Sequence, residues 1–97
     1  MPNVMNFGVE NSNTAVVTGT FPSSSGDVLI DYPAGFSADN CFIVSAAYEV
    51  ISGRWDTLPN TISGANINFS CRTDKIYCFT SASNLYSKNF KLLLIKV

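Results

Sequence analysis

The chain contains no histidine, and that absence removes more chemistry than any other feature of the sequence. Ser-His-Asp and Cys-His nucleophile systems cannot be assembled without an imidazole to take the proton. The three cysteines, Cys41, Cys71 and Cys78, include no C-x-x-C pair, so tetrahedral metal ligation has no ready donor set. An odd number also closes no disulfide framework. All three fall in strand-like runs, where a free thiol packs as a small hydrophobe. Reduced, structural thiols are therefore favoured over a Cys71–Cys78 bridge. Neither glycine-rich phosphate motif, G-x-x-x-x-G-K-[ST] or G-x-G-x-x-G, occurs. Carboxylate pairs such as Asp31 with Asp39 or Glu49 would need a cleft between them, and 97 residues with seven acids offer little material for one. No set of nucleophile, base and oxyanion donors can be completed, so the sequence predicts a non-enzyme with no cofactor.

Charge is also scarce. Asp, Glu, Lys and Arg make up 13% of the chain, against about 25% in an average soluble domain. The net charge is -1 and the six basic residues are scattered, with no stripe to track phosphates, so nucleic acid is not an expected partner. No apolar run reaches the roughly 18–20 residues of a membrane span, which argues against membrane insertion. The N-terminal "MPNVMNFGVENSN" has neither the basic start nor the apolar centre of a signal peptide. At 46% hydrophobic the chain is expected to fold, and its length fits a single domain over 1–97, with 1–12 as an N-terminal arm or first strand. A small domain with so little charge for its surface is expected to cover part of it with copies of itself, as a homo-oligomer.

What remains is β-rich. No window combines helical spacing of apolar residues with caps at both ends. Short β-branched and aromatic runs instead alternate with Gly, Pro, Asn, Asp and Ser. Strands are expected at 4–9, 13–21, 27–32, 41–51, 65–72, 75–81 and 90–97. Loops are expected at 52–64, around the only Trp, and at 82–89. Strands at this spacing predict an all-β fold, a small antiparallel β-sandwich of about seven strands. A two-residue turn at Thr73-Asp74 or Asp74-Lys75 would put Ala65, Ile67, Phe69 and Cys71 on the core face with Ile76, Cys78 and Thr80. Tyr77 and Phe79 would then lie on the opposite, polar face. In 41–51, simple alternation groups Phe42, Val44, Ala46, Tyr48 and Val50. The last strand, "FKLLLIKV", is apolar on both faces. Phe90, Leu92 and Leu94 point one way; Leu93, Ile95 and Val97 point the other and are candidates for an oligomer interface.

Candidate contact residues come from the loops. Trp55, flanked by Arg54 and Asp56 in "GRWDT", offers a ring that stacks on a sugar or anchors a protein contact, with hydrogen-bonding neighbours. The alternative is that Trp55 folds back over the open end of the sandwich. Asn84 and Tyr86 in "SNLYSKN" give a polar and aromatic mix suited to recognition, or an ordinary solvated turn with Leu85 tucked inward. Tyr77 and Phe79 complete the set.

The segment "DYPAGF" leading into "SADNCFIVSAAYEV", with the apolar final strand "FKLLLIKV", resembles the C-terminal tip (knob) domains of bacteriophage tail-fibre and baseplate proteins, including those similar to H-type lectins. The resemblance spans about 14 to 97. Tyr32, Pro33, Gly35 and Phe36 match the turn, and Phe42, Val44 and Ser45 match the strand; in that family these are structural positions. The resemblance implies a non-catalytic protein of the virion surface, a homotrimer that binds a host surface glycan or neighbouring virion proteins. It departs from the family in having no His-x-His metal motif and in placing Met1 only a few residues ahead of the domain. The short N-terminal part also fits a capsid or tail decoration protein that stabilises the particle. A third reading is a small carbohydrate-binding or adhesin-like domain of the bacterial cell surface.

Overall fold

The computed structural model describes residues 13–58 and 67–97. The strand expected at 4–9 and the start of the strand expected at 65–72, with Ala65 and Asn66, lie outside the described residues. Among those described, the chain forms β1 (Thr14–Thr20), β2 (Gly26–Ile30), β3 (Cys41–Ile51), β4 (Arg54–Thr57), β5 (Ile67–Cys71), β6 (Ile76–Thr80), a 3-10 turn (Ser83–Leu85) and β7 (Asn89–Lys96). They build two antiparallel sheets, ordered β1-β7-β3-β4 and β2-β6-β5, that pack into a small β-sandwich. The expected fold class is the one observed.

The core is made by one face of each sheet. Phe90, Leu92 and Leu94 of β7 are fully buried, as are Ile76, Cys78 and Thr80 of β6. Phe21, just past β1, sits between the sheets, with its ring 4.4 Å from that of Phe90 and 6.4 Å from that of Phe69. A side chain at Gly19 would collide with this packing, because its Cβ would come within 2.7 Å of the Phe90 ring and 2.9 Å of Ile30. Among the described residues Thr80 is the polar exception in the core, and its hydroxyl accepts the Ala82 amide at 3.0 Å. Burial pushes the Cys78 thiol up to about 12, leaving it neutral and inert at ordinary pH. All three cysteines are free.

The β5–β6 hairpin has the expected parity. Cys71 pairs with Ile76 and Phe69 with Cys78, and the Arg72 amide donates to the Lys75 carbonyl at 3.1 Å, which closes the two-residue turn at Thr73-Asp74. A tight turn follows β2. Gly35 takes φ +86°, the Phe36 amide donates to the Pro33 carbonyl at 3.0 Å, and the Phe36 ring packs against the core. Asn40 locks the second half of this turn, accepting the Ser37 amide and donating to the Gly35 carbonyl.

Two expectations are corrected. Simple alternation fails in β3, where a bulge falls between Ile43 and Ser45. Ile43 pairs with Leu94, Ser45 with Leu93, and Val44 is the extra residue. An extra residue reverses the facing of everything beyond it. Phe42 and Val44 are thus exposed, while Ala46 and Tyr48 turn to the core. The expected loop around the Trp is also partly a strand. After a turn at Ser52-Gly53, with Gly53 at φ +85°, residues Arg54–Thr57 pair with β3 as the short edge strand β4.

Candidate functional site

The outer face of the four-stranded sheet collects most of the exposed chemistry. Pairing runs across it in rows, because directly opposed residues of an antiparallel pair share a face. Thr20 pairs with Asn89, and Glu49 with Trp55. Thr18 pairs with Lys91, which in turn pairs with Ala47. Val16 pairs with Leu93, and Leu93 with Ser45; Thr14 pairs with Ile95, and Ile95 with Phe42. The face therefore divides into two halves. Toward the Asn89 end of β7 it is polar with one large ring. Toward the Val97 end it is apolar.

The polar half is held together by its own hydrogen bonds. The Thr20 hydroxyl donates to Asn89 Oδ1 at 2.7 Å, and Asn89 Nδ2 donates to Glu49 Oε1 at 3.0 Å. The other Glu49 oxygen accepts the Gly53 amide at 3.4 Å. Trp55 reaches over this surface from β4. Lys91 Nζ lies 4.3 Å from the centre of its ring, a cation–π contact that orients the indole. An open depression of about 300 Å³ is lined by Trp55, Thr18, Gly19, Thr20, Asn89 and Phe90. An aromatic edge beside hydroxyl, amide and carboxylate groups can hold a neutral polyol, with the ring on its apolar face and the polar row on its hydroxyls.

The apolar half exposes Val16 (61%), Phe42 (56%), Val44 (57%), Leu93 (37%), Ile95 (37%) and Val97 (77%). The residues proposed from sequence for an oligomer interface, Leu93, Ile95 and Val97, all lie here. Val16, Phe42 and Val44 join them.

The remaining sequence candidates are dispersed. Arg54 and Asp56 flank Trp55 but alternate to the other side of β4, where they form an exposed ion pair at 3.1 Å. Tyr77 and Phe79 lie on the outer face of the three-stranded sheet, both half-buried. Arg72 sits 4.1 Å over the Tyr77 ring, and Leu29 and Ser70 flank Tyr77 in register. Asn84 is exposed on the 3-10 turn, which buries Leu85 completely. Tyr86 follows it, and its hydroxyl donates to the Ser81 carbonyl at 3.3 Å. Trp55 is thus brought together with Thr20, Glu49, Asn89 and Lys91, none of which stands out in the sequence.

A second cluster lies at the other end of the molecule. Tyr32 donates its hydroxyl to the Arg72 carbonyl at 2.7 Å, and burial, followed by the nearby Cys71 thiol, pushes its phenol up to about 12. Burial also raises Cys41, whose thiol donates to the Ser37 carbonyl at 3.1 Å. Both groups stay neutral at ordinary pH; the Tyr32 bond fastens its turn to the end of β5, and the Cys41 bond lies within the segment leading into β3.

Comparison with family models, with curated proteins and with solved structures finds no match.

Proposed function

We propose that the protein is a non-catalytic surface module of a phage virion, of the tail-fibre-tip kind, that binds a neutral carbohydrate on the host through the polar half of its outer sheet face. The observation that carries this reading is the row Thr20, Asn89, Glu49 and Trp55. The hydrogen bonds from Thr20 through Asn89 to Glu49 fix the polar groups before any ligand arrives, which lowers the entropy cost of binding. Lys91 orients the indole in the same way. The single carboxylate and single ammonium of this half offset one another, which suits a neutral ligand better than an ionic one. The virion setting comes from the "DYPAGF" turn and the terminal strand.

A glycan array probed with the wild-type protein and with Trp55→Ala tests the reading. Wild-type binding to one or more neutral glycans, weakened at least tenfold in the variant, is expected. A wild-type protein that binds no glycan, or a Trp55→Ala protein that binds as well as wild type, contradicts it.

A further inference from the structure

The apolar half of the same face supports an inference that does not depend on the carbohydrate reading. We propose that this half, formed by Val16, Phe42, Val44, Leu93, Ile95 and Val97, is the seat of a second copy of this chain, so that two or three copies close around it.

Area is the first argument. With side chains of about 150–200 Å² each, the six residues at their observed exposures present on the order of 500 Å² of apolar surface, the upper range for a patch on a monomer. Two such patches meeting face to face remove about 1,000 Å² from water, the lower bound for a specific interface and the size of a weak, concentration-dependent one. Thr14 and Ser45, in register beside them, supply a polar rim.

Charge is the second argument. None of the six side chains is ionisable, so these side chains can meet their own copies without burying an unpaired side-chain charge or opposing like charges. The two lysines that border it are engaged elsewhere: Lys91 lies over the Trp55 ring, and Lys96 Nζ lies 5.1 Å from the centre of the Phe36 ring.

The bulge at Val44 is the third. It turns Phe42 and Val44 outward beside Ile95 and Leu93, where unbroken alternation would leave one of the two strand halves pointing its large residues elsewhere. Bulges re-aim side chains at functional surfaces, and this one widens a strip on the terminal strand into a patch spanning three strands. A flat sheet face of this kind packs on another at about 10 Å, as the two sheets of a sandwich do.

Light scattering coupled to size exclusion, at tens of micromolar protein, tests the proposal on wild type, Phe42→Lys, Val44→Lys and Leu29→Lys. Leu29 is 45% exposed on the outer face of the other sheet and serves as the control. Circular dichroism confirms folding, and because both test positions are more than half exposed, either variant alone gives a reading if the other fails to fold. Wild type and Leu29→Lys are expected at two or three times the chain mass of 10.5 kDa, and Phe42→Lys and Val44→Lys at the single-chain mass. A monomeric wild type, as expected if this face instead served a different protein, overturns the proposal. So does an assembly that survives both lysine substitutions.

Discussion

On the outside of the three-stranded sheet, Tyr77 and Phe79 are half-buried, and Arg72 lies over the Tyr77 ring. On the outside of the four-stranded sheet, Phe42 and Val44 are more than half exposed. Both faces carry large apolar side chains on a sheet whose other side forms the core. The first shields its rings with polar and charged neighbours from the adjoining strands: Asp27 and Asn68 beside Phe79, Ser70 beside Tyr77. On the second, Val16 opposes Leu93 and Phe42 opposes Ile95, apolar against apolar, with Ser45 and Thr14 at the far ends of these two rows. Among the described residues Leu29, opposite Tyr77, is the one large apolar side chain exposed on the first face, whereas the second exposes Val16, Phe42, Val44, Leu93 and Ile95 side by side. Low charge alone suggests a covered surface; the pairing register shows where the exposed apolar side chains gather.

The largest expected effect separates the two sides of β7. Leu92→Ala removes a fully buried side chain between the sheets and is expected to cost about 2–5 kcal/mol of stability. Leu93→Ala, one residue on, should cost under about 1 kcal/mol in the single chain, since part of that side chain is already in water. Urea denaturation at low protein concentration measures both, because self-association would add its own stabilisation. Equal losses at the two positions would break the distinction between the sides of this strand.

A smaller effect separates the two outer faces. Tyr77→Ala removes a half-buried ring and its contact with Arg72, and is expected to cost about 1–2 kcal/mol. Phe42→Ala should change single-chain stability by no more than about 0.5 kcal/mol while weakening assembly. If Phe42 proved as important as Tyr77 to the stability of the isolated chain, its face would belong to the fold and not to a partner.

The parts of the fold that could be read in advance are those governed by local pattern. The β5–β6 hairpin alternates cleanly, and a two-residue turn leaves one parity, so the inward set of Ile67, Phe69, Cys71, Ile76, Cys78 and Thr80 follows from sequence. The two faces of β7 follow in the same way. In β3, Cys41 and Ile43 are as apolar as Phe42 and Val44, so alternation carries no information there, and the bulge hides the change of facing. The edge strand β4 was missed because it has only four residues and follows directly on a glycine turn. The candidate site was legible only at Trp55. Its partners arrive from β1, β3 and β7, and pairing between strands so far apart in sequence leaves no local mark.

The central claim is that the outer face of the four-stranded sheet, and not that of the three-stranded sheet, is a contact surface. Hydroxyl-radical footprinting of the wild-type protein at low and high concentration, read residue by residue by mass spectrometry, tests it most directly. Phe42 and Leu93 are predicted to lose reactivity as concentration rises, while Tyr77 and Phe79 stay unchanged. Unchanged reactivity at Phe42 and Leu93, or protection at Tyr77 and Phe79 in their place, would contradict the claim.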